Sequence, residues 1–128
     1  MGSIMAGGFK FEPRTLAFNP AQFGKSSESL QPADGIDITD ARFMAANLQH
    51  RVANAIREGI LARASRLESF LATLTPTSPG MSYDRVVRIQ RGETLMQLAD
   101  LLAWVGQFPT VRTVILTELD EATQQVEL

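Results

Sequence analysis

The stretch MSYDRVVRIQRGETLMQLADLL, residues 81–102, holds two helical patterns separated by one turn signal. Ser82 is a good N-cap residue and Gly92 suits the end of a helix, so a short helix is predicted between them. Arginines recur at every third position of this helix: Arg85, Arg88 and Arg91. They predict a cationic stripe, with Val86 and Ile89 pointing toward the core.

Three further helices are predicted around this one. The longest lies in residues 37–64, with Asp37 or Thr39 as its cap and Asp40 favourable in its first turn. Its apolar residues recur every four positions: Met44, Leu48, Val52, Ile56 and Ile60. A second helix is predicted over 65–74, capped by Ser65. The fourth, over 93–108, is expected to be closed by Pro109 and to bury five residues: Leu95, Leu98, Leu101, Leu102 and Val105. Trp104 and Met96 are also predicted to lie in the core.

The two ends of the chain are less regular. Residues 1–36 are interpreted as an N-terminal arm and linker with short extended pieces, whose phenylalanines predict packing on its own domain or on a second copy. Residues 37–109 are predicted to form the main domain. Residues 110–128 fit either a strand or a helix. The β-branched start favours a strand over 111–117, and the segment is a possible dimerisation element.

Composition limits the class of protein. Of the 128 residues 45% are apolar and 20% are charged, which is typical of a globular chain. No apolar run approaches 18 residues and no signal peptide is evident, so neither membrane insertion nor export is expected. There is no cysteine, which excludes disulfides and thiolate metal sites and fits a cytoplasmic location.

The charge is unevenly distributed along the chain. Its net charge is −2, yet residues 41–92 hold eight arginines against Glu58, Glu68 and Asp84. Arginine suits bidentate contacts with phosphate and guanine, so this half could bind a polyanion. Alternatively, the arginines reflect only a genome that encodes arginine where others encode lysine.

Catalytic signals are weak. His50, the only histidine, lies within a predicted helix and is interpreted as a packing or surface residue rather than a base. No Gly-rich phosphate loop, metal-binding histidine pair or nucleophile–base arrangement is recognisable. The chain is therefore predicted not to be an enzyme, and to need no cofactor and no metal.

The run over 82–102 resembles the Xre, or phage lambda-repressor-like, helix-turn-helix family. In that family the recognition helix begins with a small polar residue, carries a β-branched residue facing the core and ends in an Arg-x-x-Arg-Gly phrase. The matching residues are Ser82, Val86, Arg88, Ile89, Arg91 and Gly92. The next helix of the family opens with a Thr-Leu-x-x-Leu-Ala phrase, matched by Thr94, Leu95, Leu98 and Ala99. The resemblance covers about residues 48–108.

The resemblance implies a mainly α fold: a lambda-repressor-like helix-turn-helix bundle of four to five helices, with short extended N- and C-terminal segments. It implies a sequence-specific regulator, a repressor of phage or mobile-element type, that acts on double-stranded DNA as a homodimer beside the nucleoid. The helix 82–92 would enter the major groove. The predicted DNA-binding residues are Ser65, Arg66, Ser82, Tyr83, Asp84, Arg85, Arg88 and Arg91.

The roles of these residues follow from their chemistry. Arg85 could read guanine, Asp84 could orient its neighbouring arginines, and Arg66 could meet phosphate at a helix start. Arg91 could contact DNA or brace the fold. The alternative function is a helical protein–protein interaction module, such as an antitoxin or adaptor, whose arginines meet an acidic partner.

Overall fold

The computed structural model describes residues 11–74 and 81–126, and for residues 125 and 126 only the backbone. Five helices follow one another: α1 Ala41–Ala62, α2 Leu67–Ala72, α3 Tyr83–Gln90, α4 Leu98–Val105 and α5 Pro109–Val126. Two 3₁₀ turns precede them, Pro13–Leu16 and Pro20–Gln22. The described part of the chain has no strand, only an isolated antiparallel bridge between Ala17 and Pro32. The predicted mainly α class is therefore confirmed.

Helix α1 is the element on which most of the others pack. α2, α3, α5 and the N-terminal 3₁₀ turn Pro13–Leu16 all contact it. Asp40 caps it by accepting a hydrogen bond from the Arg42 backbone N–H, so the predicted caps were wrong. Asp37 instead accepts from the backbone N–H of Thr39 at 2.8 Å, in the turn before the helix.

Two apolar clusters lie on different sides of α1. The larger joins α1 to the four following helices, and its centre is a stack of the rings of Phe70, Trp104 and Phe108. The smaller joins α1 to the arm through six buried residues: Ala17, Phe23, Leu30, Phe43, Ala46 and Ala53. The arm, from residue 11 onward, thus packs on its own domain. Trp104 and Met96 are buried, as predicted.

The predicted strand over 111–117 was wrong, because these residues belong to α5. Val111 and Glu118 are buried, and Val114, Ile115 and Ala122 are partly buried. This spacing places one side of a helix against α1, and that packing outweighs the strand preference of β-branched residues. Pro109, predicted to close the fourth helix, is the first residue of α5, where a proline needs no hydrogen-bond donor.

Helix α4 is shorter than predicted, and its leucines are distributed differently. Leu101 and Val105 are partly buried, whereas three leucines predicted to lie in the core are exposed: Leu95, Leu98 and Leu102. The buried side of α4 carries Trp104 and Asp100 instead. Ser65 is also not a cap, because α2 begins after Arg66 and has no side-chain cap. The predicted extended segment at the C-terminus is helical.

Within the described residues, no helix is both long enough and apolar enough to span a bilayer. Residues 75–80, a stretch with two prolines and a glycine between α2 and α3, lie outside the described residues.

Candidate nucleic-acid interface

Helix α3 is fixed at its inner side and at both ends. Val86 and Ile89 are buried, and the Ser82 hydroxyl accepts a hydrogen bond from the Arg85 backbone N–H at 3.4 Å. Both features match the sequence prediction. Gly92 follows the helix with a φ of +75°, a conformation that glycine adopts without strain.

Gln49 of α1 holds the turn that joins α3 to α4. Its buried amide nitrogen donates to the carbonyl oxygens of Ile89 at 3.0 Å and Thr94 at 2.9 Å. Its amide oxygen accepts from the Met96 backbone N–H at 2.7 Å. Because one buried side chain meets three backbone groups, the orientation of α3 relative to α1 is tightly defined.

The opposite side of α3 is open to solvent. Its exposed residues are Tyr83, Asp84, Arg88 and Arg91, with Val87 partly buried among them. We call these five residues the outer face of α3. Because the four polar side chains of this face are exposed, a ligand can contact them.

The three arginines do not form one stripe. A step of three residues turns an α-helix by about 300°, so Arg85, Arg88 and Arg91 lie about 60° apart in succession. Arg85 turns toward α4 and forms a two-point ion pair with Asp100, at 2.7 and 2.8 Å. Arg88 and Arg91 remain on the outer face.

The ion pair shifts the pKa of both partners. Burial acts to raise the pKa of Asp100, but the hydrogen bonds from Arg85 and from the Gln97 backbone outweigh it, and the pKa is lowered. The hydrogen bond to Asp100 raises the pKa of Arg85. Arg85 thus ties α3 to α4, and its guanidinium is committed to the fold rather than open to a base.

The arm supplies an arginine that the sequence prediction missed. The Arg14 backbone N–H donates to the carbonyl oxygen of Gly92 at 3.1 Å, which brings the arm to the end of α3. Glu93 lies 3.7 Å from the Arg14 guanidinium and 4.0 Å from that of Arg91. Arg14 and Arg88 line a groove of about 430 Å³ beside α3, and the other charged residues of that groove are two glutamates. Nothing in the sequence except its charge indicated that Arg14 belongs to this surface, because it lies in the arm, far from α3 along the chain.

The remaining predicted contacts lie on α2. Arg66 is exposed at the N-cap position of α2, a six-residue helix that packs against α3. Ser65 is half-buried, and its hydroxyl donates to the Arg66 carbonyl oxygen at 3.3 Å. The nearby Arg63 stacks on the rings of Phe108 and Phe70, at 4.7 and 5.4 Å from their centres. Thus Arg66 remains accessible, while Arg63 takes part in packing.

His50 packs in the interior of the fold, one of the two positions, packing or surface, that the sequence predicted for it. It is 1% exposed; its Nδ1 accepts from the Gly24 backbone N–H at 2.8 Å, and its Nε2 meets the Glu28 carbonyl oxygen at 2.7 Å. These partners require the neutral ring with its proton on Nε2. Burial lowers the pKa of His50, which favours that form. His50 fastens the arm to α1.

One further cavity lies away from α3. An apolar cavity of about 330 Å³ lies between the arm, α1 and α5, and none of its lining residues belongs to α3. Its buried Glu118 is held by Arg51 and by Asn47. Among the residues described, no group of three or more histidines or carboxylates is placed to hold a metal ion.

Comparison of the chain with protein-family models, with characterised proteins and with solved structures gave no match.

Proposed function

We propose that the chain is a DNA-binding regulator that reads the major groove with α3. The observation that carries the proposal is the outer face of α3: a polar, arginine-bearing surface on a helix anchored from behind. An α-helix fits the major groove, and side chains near its exposed end reach base edges. Repression is the simplest regulatory role, since blocking a promoter requires no further domain.

The roles of the arginines in this proposal follow from what each one contacts. Arg88, an exposed residue of the outer face, is assigned to base or phosphate contact. Arg91, two-thirds exposed and only loosely paired with Glu93, is assigned to phosphate. Arg85 could contact guanine only if its ion pair with Asp100 were broken. We therefore assign Arg85 to positioning the first turn of α3.

The remaining contacts complete the interface. Tyr83, Ser82 and Asp84 lie at the N-terminal end of α3, where a recognition helix approaches the bases. Arg66 and Arg14 flank the helix and suit phosphates, which set position but carry no sequence information. No catalytic step is part of the proposal.

The test is selection from a pool of random-sequence duplexes at about 0.15 M salt, a concentration at which non-specific binding is weakened. The proposal predicts retention and an enriched motif. Retention without enrichment would indicate non-specific packaging of DNA. An absence of retention would favour the alternative, a protein-interaction module, for which the exposed leucines of α4 are the supporting observation.

A further inference from the structure

The cavity between the arm, α1 and α5 has the dimensions of a small-molecule site. Its volume of about 330 Å³ falls within the range of ligand pockets, and most of its lining residues are apolar. Leu30 and Phe43 of the lining are buried, whereas Ile38 and Leu119 are exposed. The cavity therefore reaches from solvent into the apolar interior. Since a protein cavity of about 150 Å³ can hold one benzene molecule, this one has room for a body of one or two rings.

The charge on the cavity lining is all negative. Its charged residues are Glu118 and Glu121, which are three positions apart on one side of α5. The buried Glu118 pairs with Arg51, and the Glu121 carboxylate lies 4.0 Å from the same guanidinium. Arg51 is not part of the lining. One arginine shared by two carboxylates leaves one negative charge of this group without compensation.

Hydrogen bonds from Asn47 hold the three walls of the cavity together. Its amide nitrogen donates to the Glu118 carboxylate at 2.9 Å, which joins α1 to α5. Its amide oxygen accepts from the Leu30 backbone N–H at 2.8 Å, which joins α1 to the arm. The cavity is thus formed by contacts of the chain itself, as is usual for ligand pockets, and a ligand need not assemble it.

We infer that this cavity binds a small organic cation, with an apolar body of one or two rings or a short alkyl chain and one protonated amine. The apolar walls surround the body, and the ammonium group donates to the Glu121 carboxylate beside Glu118. A ligand with one positive charge neutralises the group formed by Arg51 and the two glutamates. An anionic ligand of the same shape is repelled by them.

The groove beside α3 does not suit such a ligand. It is lined by two arginines as well as two glutamates, so a cation there has no excess of negative charge to meet. The apolar cavity, in contrast, contains no residue of α3. The inference therefore concerns a separate site and does not rest on the proposed function.

Amide NMR titrations of the full chain at pH 7 test the inference with two sets of probes. Tryptamine, tryptophol and indolepropionate carry an ammonium, a hydroxyl and a carboxylate on the same indole-ethyl body. Hexylamine, hexanol and heptanoate do the same on a flexible chain of six carbons, which adapts to the shape of the cavity. We expect both amines to bind with a Kd of about 1 mM or tighter and to shift the amides of Leu30, Leu48 and Ala122. The alcohols should bind about fivefold more weakly, and the carboxylates should not saturate.

Two variants separate the charge of the site from its shape. Glu121→Gln should weaken the amines to the affinity of the alcohols, and Asp120→Asn, which removes an exposed acid of α5 outside the lining, should not. Ala122→Leu places a larger side chain in the cavity and should weaken the amines and the alcohols at least tenfold. Thr123→Leu is its control, because Thr123 is exposed and outside the lining. Thermal melting checks that each variant is folded.

Several results would overturn the inference. Neither amine produces a saturable shift; the alcohols or the carboxylates bind as tightly as the amines; or Glu121→Gln has no greater effect than Asp120→Asn. Binding that Ala122→Leu leaves unchanged would place the ligand elsewhere and would overturn it as well. Each of these results leaves the proposed function open, since none involves α3. Conversely, a chain that binds the amines as expected but retains no duplex keeps the cation site and loses the proposed function.

Discussion

At the scale of single residues, the arginines of α3 show how identical side chains acquire different roles. Three-residue spacing predicted one stripe, but the 60° offset between successive positions sends Arg85 toward Asp100 and leaves Arg88 and Arg91 in solvent. The sequence reveals the spacing and the charge. It does not reveal which arginine meets an acid, because Asp100 is fifteen residues away and its position depends on how α4 packs.

Replacing Asp100 with asparagine should destabilise the fold by about 1–3 kcal/mol, since Arg85 would lose its counter-charge in a half-buried place. The pKa of Asp100 is lowered in the folded state, so the unfolded chain binds the proton more readily. The ion pair therefore stabilises above the ordinary carboxyl pKa of about 3.9, and this stability is lost as the pH falls through the lower folded value.

Urea unfolding at neutral pH and at about pH 3 measures both effects of the Asp100→Asn change. Glu93→Gln is the matched control, because Glu93 has only long contacts with Arg14 and Arg91 and should change the free energy of unfolding by less than about 0.5 kcal/mol. Equal stability of the two variants at neutral pH would show that the Arg85–Asp100 pair does not brace α3.

His50 gives the fold a second dependence on pH. Its pKa is lowered by burial, so the unfolded chain takes up the proton first as the pH falls. Its contribution is complete above about pH 6.5 and is lost progressively below that value, because a protonated ring cannot accept from Gly24. The free energy of unfolding should therefore decrease from pH 7.5 to pH 5.5. A His50→Gln variant should lose this slope, and an unchanged slope would contradict the assignment.

At the scale of elements, the sequence predicts helices well where a cap and an apolar period agree. α3 begins after Ser82 and is followed by Gly92 as predicted, because both signals are local. The start of α5 was predicted to be a strand, because its β-branched residues favour a strand while its apolar spacing favours a helix. Contact with α1 stabilises the helix. The leucines of α4 were assigned to the core because spacing alone cannot tell which side of a helix has a neighbour.

Gly92 tests the junction between α3, α4 and the arm. A Cβ added there would lie 2.8 Å from the ring of Phe23, and the φ of +75° disfavours any other side chain. Gly35 has a similar φ of +80° but open space around it. Gly35→Ala should cost about 1 kcal/mol from the backbone alone, and Gly92→Ala should cost about 1–3 kcal/mol more. Thermal or urea unfolding measures the loss of stability in each variant. Equal losses would show that the Phe23 ring moves aside without cost.

At the scale of the whole molecule, α1 joins the candidate interface to the rest of the chain. Gln49 fixes the turn after α3 and His50, the next residue, fixes the arm, so adjacent residues of α1 hold two different segments. Helix α3, with its cap at Ser82 and its buried Val86 and Ile89, was predicted from the local sequence. Arg14 was not, because only the folded arm brings it to the end of α3.

If the outer face of α3 reads DNA sequence, removal of the Arg88 side chain should change which duplexes the chain prefers or how tightly it binds them. The duplex selection is performed in parallel with the wild type, with Arg88→Ala and with Arg112→Ala, an exposed arginine of α5. We predict that the wild type and Arg112→Ala enrich the same motif. Arg88→Ala should lose preference at one position of the motif, a change of about 1–3 kcal/mol, or bind all duplexes more weakly if Arg88 meets phosphate. An unchanged motif and affinity for Arg88→Ala, or no retention of DNA by the wild type, would show that the outer face of α3 does not read DNA sequence.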